Sequence, residues 1–144
     1  MHHVAIMNKS WKLIPQILSS KKTIESRWYQ TRRAPWGAIK AGDTIYFKNS
    51  GEPVTAVATV ADVLAFDGLP RKKLTQLLAQ YGGSPGICFS SPTQALRWTS
   101  GKRYGILIFL KNPRTVKPFK VNKQGFGNAC AWMTVSNIAS LRMD

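Results

Sequence analysis

The densest group of side chains capable of chemistry lies in residues 21–28, which read KKTIESRW. The β-favouring composition predicts a strand, in which successive side chains point to opposite faces. Glu25 and Arg27 then share one face, roughly 7 Å apart along the chain. Trp28 takes the other face, and Lys22 lies at the entry turn. The spacing therefore brings a carboxylate and a guanidinium together on one strand.

Glu25 is one of only 6 acidic residues in a chain with 21 Lys and Arg, and it stands among basic neighbours. A carboxylate there would repel phosphate, so its use is to orient Arg27 or to accept a hydrogen bond from a base amino group or a ribose hydroxyl. Metal-free RNA cleavage would need a base and a cation, and Glu25 with Lys22 or Lys48 could serve. The same spacing also fits a structural ion pair that closes a barrel, and both interpretations stay open.

Aromatic residues are the second signal, with 5 Trp in 144 residues. Trp28 and Trp36 flank Arg32 and Arg33, which combines stacking planes with phosphate-seeking charge. Trp36 follows Pro35 in a loop and is predicted to be an exposed platform, where stacking of a base is worth about 1–3 kcal/mol. Core positions are predicted for the remaining tryptophans, because Trp is heavily buried on average: Trp11, Trp98 and Trp132.

A third signal is the glycine-rich stretch from Gly125 to Asn128, which follows three spaced lysines. It fits a hairpin turn with a solvated basic flank. It also fits a lip over a cleft, in which Phe126 or Asn128 touches a base. Five basic residues are the candidates for phosphate binding: Arg32, Arg33, Lys48, Lys120 and Lys123.

The composition limits the class of protein. The formal charge of +15 points to a polyanionic partner, nucleic acid first and an acidic membrane surface second. Residues 1–50 and 101–144 are strongly basic, while residues 51–100 are nearly neutral. Two cysteines make no disulfide framework or zinc site, and the two histidines lie together near the N-terminus, so no His-based triad is expected. We therefore expect a cytoplasmic, monomeric single domain over residues 1–144, without a metal, a cofactor or a membrane segment.

The predicted elements are mostly short strands. Strands are expected at 4–7, 23–28, 44–48, 54–66, 104–110, 119–121 and 129–135. Ser10 is expected to cap a first helix with Ile14, Ile17 and Leu18 on its core face. Residues 70–80 and a segment opened by Ser91-Pro92 predict two more helices, and residues 111–118 a loop. The pattern predicts an α+β fold, a small and mostly antiparallel β-barrel with flanking short helices.

The string from Ser20 to Arg27 resembles the G-x-K-x-x-E-x-R signature of ASCH domains, a branch of the PUA-like superfamily. The resemblance implies a β-barrel with helices around a cleft that binds RNA or another nucleic acid. It also implies that Lys22, Glu25 and Arg27 line the cleft. Ser20 stands where the family usually has Gly, so the turn before Lys22 is where this chain departs from the pattern.

Some ASCH-like proteins are enzymes, so the resemblance adds an enzyme as the second alternative beside an RNA-binding module. Amidohydrolases of acylated cytidine use a Lys, a Thr and a distant Glu. Here Lys22 matches the Lys, but Glu25 takes the Thr position and residues 68–100 contain no acid. Metal-independent ribonucleases are the main alternative to an RNA-binding module that accepts a nucleotide, or a modified base, in its cleft. A protein-interaction adaptor is the third, and it predicts no salt-sensitive affinity for RNA.

Overall fold

The structure, a computed structural model, describes residues 1–127 and 130–143. The strands are rich in β-branched, aliphatic and aromatic residues, which favour extended backbone, and their apolar side chains form the buried faces of the sheet. The strands are β1 (His2–Met7), β2 (Ile24–Tyr29), β3 (Thr44–Asn49), β4 (Val54–Asp67), β5 (Tyr104–Val121), β6 (Trp132–Val135) and β7 (Arg142–Met143). The helices are α1 (Leu13–Leu18), α2 (Arg71–Tyr81) and α3 (Pro92–Thr99), with 3₁₀ turns at Lys9–Trp11 and Ile138–Ser140.

The strands form a mixed sheet in the order β2-β5-β4-β3-β1-β6, with β7 paired to the far end of β5. The β1–β3 pair is parallel and the other pairs are antiparallel. Register shifts along the long β4–β5 pair bend the sheet. The result is a curled half-barrel with short helices, which confirms the predicted α+β barrel. Strands β2 and β6 end the strand order, and the seam between them stays open.

Three clusters of buried residues pack against the sheet: an inner cluster, an outer cluster, and a small third one of Ile24, Ile87 and Leu107. The inner cluster includes Phe47, Ile106 and Ile108 from the strands, with Ile14 and Ile17 of α1 packed on them. Each such buried side chain contributes about 1.5–3 kcal/mol. The predicted core face of α1 is thereby confirmed, with Leu18 half-buried at its edge. The outer cluster is built from Val4, Val54, Phe119, Met133 and Leu141.

Three predicted features are wrong. Asn8, not Ser10, caps the first turn by accepting from the Ser10 amide, and Lys12 at φ 54° separates that turn from α1. Residues 111–118 belong to β5 rather than to a loop. Two prolines suggested the loop, but they fall where the β4–β5 register is irregular and an N–H donor is dispensable. The strand predicted at 129–135 is too long: β6 covers Trp132–Val135, residues 130 and 131 precede it, and residue 129 lies outside the described residues.

A buried polar network lies beneath the open seam. The fully buried His3 ring contacts Asp43 through Nε2 at 2.8 Å, and the Trp132 indole donates to His3 Nδ1 at 3.2 Å. Because Nδ1 accepts that bond, the proton of a neutral His3 is on Nε2 and is donated to Asp43. Burial lowers the pKa of His3, against the opposing effect of Asp43. The imidazole therefore serves as a neutral connector inside the fold.

Within the described residues, no helix combines the length and the apolar character needed to cross a bilayer. The same residues bring together no group of three or more His, Cys, Asp or Glu side chains around a point where a metal would sit.

Candidate functional site

A cleft of about 1150 Å³ occupies the open seam beside strand β2. One wall is the end of β1 with the first 3₁₀ turn, and the opposite wall is the loop before α3 together with α3 itself. The floor is β2, of which five consecutive residues, 25–29, contribute to the lining. Polar, basic and aromatic side chains dominate the lining, among them Asn8, Lys9, Trp11, Lys22, Glu25, Arg27, Trp28, Tyr29, Phe89, Gln94, Trp98 and Lys123.

Arg27 ties the two sides of the seam together. Its guanidinium donates to the carbonyl of Ala131 at 3.3 Å and to that of Ile6 at 3.4 Å. It also lies 5.1 Å from the centroid of the Trp132 ring, which makes a cation–π contact. Trp132 in turn donates to His3, so the buried network supports the guanidinium from behind. Arg27 is therefore held in place by the fold.

Glu25 lines the cleft and carries a buried hydrogen-bond acceptor that the described residues leave without a partner. Its side chain is almost fully buried, and Oε1 lies 3.7 Å from Arg27 Nε, which is attraction between charges rather than a hydrogen bond. Oε2 is buried and has no hydrogen-bond partner among the described residues. A buried acceptor without a partner costs about 1–3 kcal/mol, and more when it is charged. The carboxylate is therefore kept in a state that a hydrogen-bond donor from a ligand would stabilise.

Lys22 is buried two residues before β2, where its backbone forms an isolated bridge with Gly86. Its Nζ donates to the Ile87 carbonyl at 2.8 Å, and only 3% of the residue is exposed. Burial lowers the pKa of Lys22, although Glu25 opposes that shift. The turn before it holds Ser20 at φ 63°, a left-handed conformation that suits glycine. The chain thus keeps at Ser20 a backbone conformation for which glycine is the favoured residue.

Trp28 lies on the opposite face of β2 and reaches the cleft around the free edge of the strand. Its ring covers Gly105 of the neighbouring β5, where an added Cβ would sit 2.3 Å from Trp28 Cζ3. A glycine is required there for the indole to lie against the sheet. The buried Nε1 has no hydrogen-bond partner among the described residues. The cleft thus contains an unused donor as well as an unused acceptor.

Trp11 and Trp98 form an exposed aromatic pair at the mouth of the cleft. Their ring centroids are 4.9 Å apart in an edge-to-face arrangement, with 41% and 42% of the residues exposed. The prediction that both lie in the core is wrong, whereas Trp132 is in the core as predicted. The left-handed Lys12 takes Trp11 out of phase with α1. Trp98 follows the buried Ala95 by three residues, a helical spacing that could not reveal its exposure.

Trp36 does not line the cleft. The indole is half-buried, packs against the inner core cluster and donates from Nε1 to the Phe66 carbonyl at 3.0 Å. Its ring also stacks edge-to-face on Tyr104, with centroids 5.1 Å apart. The predicted exposed platform is therefore wrong, because the loop between β2 and β3 folds back onto the ends of β4 and β5. Phe126 is half-buried against the outer core cluster, and Asn128 lies outside the described residues.

Of the predicted phosphate-binding residues, the cleft contains Lys123. Lys48 is 7% exposed and lies outside the cleft lining; burial lowers its pKa, and nearby Lys123 lowers it further. The guanidinium of Arg32 lies 4.6 Å from the Trp36 ring centroid, and that of Arg33 lies 5.2 Å from the Tyr29 centroid. Lys120 is exposed on β5. Three of these five cations, Arg32, Arg33 and Lys120, are thus spread over the surface instead of gathering in the cleft, and Lys48 is buried.

Solved structures of ASCH domains share this architecture. ASCH from Zymomonas mobilis superposes with a TM-score of 0.69 at 18% sequence identity, over 99% of this chain and 96% of that chain. A variant of the same protein gives a TM-score of 0.70 at 18% identity, over 96% and 91%. The hypothetical protein PH0355 gives 0.52 at 17% identity, over 81% of this chain and 100% of that one. No protein-family model matches the sequence, and no curated protein matches it either. The fold that the signature implied is nevertheless confirmed.

Proposed function

We propose that this chain, which has the ASCH-domain fold, is an RNA-binding module that takes a base of a single strand into the cleft on β2. The observation that carries the proposal is Glu25 Oε2, a buried carboxylate oxygen without a hydrogen-bond partner in a cleft lined with cations. Natural proteins leave few buried polar atoms unpaired, and such an atom in a cleft is explained by a ligand that donates to it.

The chemistry of Glu25 favours a base over a phosphate as that ligand. A carboxylate accepts hydrogen bonds and repels phosphate oxygens, whereas the amino groups of bases donate. Trp28 Nε1 adds a buried donor that a base carbonyl or ring nitrogen would satisfy. Single-stranded RNA exposes these edges, since its bases are unstacked and accessible. A donor and an acceptor on one strand edge therefore fit the recognition of an unpaired base.

The size and charge of the cleft fit a nucleotide with part of its strand. Small-molecule pockets measure about 300–1,000 Å³, and this cleft of about 1150 Å³ is larger. Lys123 and Lys9 stand at its border, and Lys9 is paired with Glu52 at 2.6 Å. The wider surface carries Arg32, Arg33 and Lys120, which add long-range attraction for the backbone. Residues within the cleft thus recognise the base, and the cations on the surrounding surface attract the phosphates.

Salt titration tests this proposal. For single strands, the logarithm of affinity should fall with the logarithm of salt concentration at a slope of about −0.7 per neutralised phosphate. We expect the affinity for a labelled RNA hexamer, measured by fluorescence anisotropy, to fall clearly as the salt concentration rises. We also expect the protein to retain bound RNA when it is purified without nuclease. Affinity that stays flat from low to physiological salt would contradict the proposal and favour an adaptor whose charge only aids solubility.

Metal-independent cleavage of RNA is the second candidate, and Lys22 is the observation that favours it. Burial lowers the pKa of Lys22 beside a carboxylate, and such an environment favours proton transfer. Incubation of a labelled RNA with the protein and EDTA decides between the two functions. Turnover that disappears in Lys22→Met would establish the ribonuclease, and intact RNA under saturating protein would support the binding module.

A further inference from the structure

A second, shallower groove adjoins the cleft on the far side of the aromatic pair. Its volume is about 470 Å³, and its lining is Trp11, Gln94, Arg97, Trp98 and Lys102. Three of these residues, Trp11, Gln94 and Trp98, also line the large cleft, so the two spaces are continuous around the pair. The groove holds two cations and no acid, a composition that attracts an anionic strand.

The two tryptophans form a surface on which a flat ring can stack. In an edge-to-face pair the edge of one ring covers one face of the other, and the remaining faces stay open. Apolar side chains of this size with more than 40% exposure are costly to leave in water unless a partner covers them. Every base has an aromatic face, so such a surface accepts bases without regard to sequence.

Polar groups around the pair match the rest of a nucleotide. Arg97 is exposed on α3, immediately before Trp98, and Lys102 lies half-buried after the end of the helix. Gln94 Oε1 already accepts from the amide and the hydroxyl of Ser90, at 2.7 and 2.8 Å. Those bonds fix the carboxamide, so its amide hydrogens are the group it offers to a ligand. Stacking faces and phosphate-binding cations therefore lie within one groove.

We propose that this groove is a second nucleotide subsite, which stacks the base next to the one bound at Glu25 and holds its phosphate with Arg97 and Lys102. This inference rests on the proposed function, because it assigns the neighbouring nucleotide of the same strand. The preferred ligand is then an oligonucleotide of at least two residues, not a free nucleotide. Sequence-tolerant stacking at the groove would add affinity, and the Glu25 cleft would add selectivity.

The experiment compares a labelled random-sequence RNA hexamer with an equimolar mixture of the four ribonucleoside 5′-monophosphates. Anisotropy and calorimetry give the two affinities, and their ratio measures the benefit of length. In Trp11→Ala/Trp98→Ala we expect this ratio to fall about 5- to 150-fold, the range for loss of one stacked base. The ring-retaining Trp11→Phe/Trp98→Phe variant should recover most of it. A ratio that stays within twofold of the wild type would overturn the subsite.

Charge variants test the same assignment without touching the rings. Arg97→Gln and Lys102→Gln should each reduce the salt slope for the hexamer by about 0.7 and leave mononucleotide affinity unchanged. Lys72→Gln on α2, which removes one exposed charge outside both spaces, is the matched control. Equal slopes in the Arg97 and Lys72 variants would overturn the phosphate assignment. A wild type that binds neither probe would overturn the proposed function itself, whereas normal binding with unaffected variants overturns the subsite alone.

Discussion

Replacement of Glu25 by Gln keeps the shape of the side chain and removes its charge. The attraction between Oε1 and Arg27 Nε at 3.7 Å is about 4.5 kcal/mol at an effective dielectric constant of about 20. Burying a carboxylate costs several kcal/mol, so the two contributions nearly cancel. We expect Glu25→Gln to lower the free energy of unfolding by less than about 2 kcal/mol, and Tm by less than about 8 °C. The variant therefore remains folded for binding measurements.

The loss should appear in base recognition. A hydrogen bond to a charged acceptor is worth about 1–1.5 kcal/mol more than one to a neutral acceptor, which corresponds to about 5- to 12-fold in affinity. We expect that loss for an RNA hexamer and none for an abasic strand of equal length, since phosphates lose no partner. Asp62→Asn, which removes an exposed charge outside the cleft, is the control for net charge.

Three outcomes would refute this reasoning. Equal weakening for the base-bearing and abasic strands would mean that Glu25 acts on the backbone or on the fold. Cleavage by the wild type that vanishes in Glu25→Gln, with binding intact, would mean that the carboxylate is a general base. If stability falls while selectivity persists, Glu25 only holds Lys22 and Arg27.

Three further predictions concern the framework of the site. Arg27→Met should lower the free energy of unfolding by about 3–5 kcal/mol in urea titration, because Glu25 loses its partner. Full stability in this variant would contradict the prediction, and so would the absence of any recovery in Arg27→Met/Glu25→Gln. Trp36→Ala should cost stability near the low end of about 3–5 kcal/mol and leave RNA affinity unchanged; weaker binding would return Trp36 to the interface. Burial lowers the pKa of His3, so below about pH 6.5 the unfolded chain takes up a proton more readily and stability should fall. Thermal melts should show this slope in the wild type and lose it in His3→Phe, and stability that rises on acidification would refute it.

Sequence reasoning succeeded where the signal is local. The period-two alternation of β2 depends on neighbouring residues alone, and it placed Glu25 and Arg27 on one face. The Ser91-Pro92 start of α3 is equally local, and the Ser91 side chain accepts from the Gln94 amide as predicted. The signature turn also behaves locally, since Ser20 adopts the left-handed conformation that glycine would.

Sequence reasoning failed where contacts between distant parts of the chain determine the structure. Trp36 looked exposed because its loop is rich in Pro and Gly, yet the Phe66 carbonyl thirty residues away gives the indole a partner. Two prolines made the second half of β5 look like a loop, but the bulged pairing with β4 tolerates prolines in this strand. The exposure of Trp98 depends on where α3 packs, which no periodicity within the helix encodes.

The pairing of β1 with β6 determines when the cleft can exist. Val4 pairs with Met133, so strands far apart in the sequence lie side by side, and the Ala131 carbonyl that holds Arg27 is 104 residues further along the chain. Contacts between residues so far apart in sequence slow the search for the native state, because a long loop must close first. A nascent chain that has released only residues 1–127 has β2 and Glu25 but not the Ala131 carbonyl that anchors Arg27 across the seam. The anchor of Arg27 across the seam is therefore completed in one step with the pairing of β1 and β6.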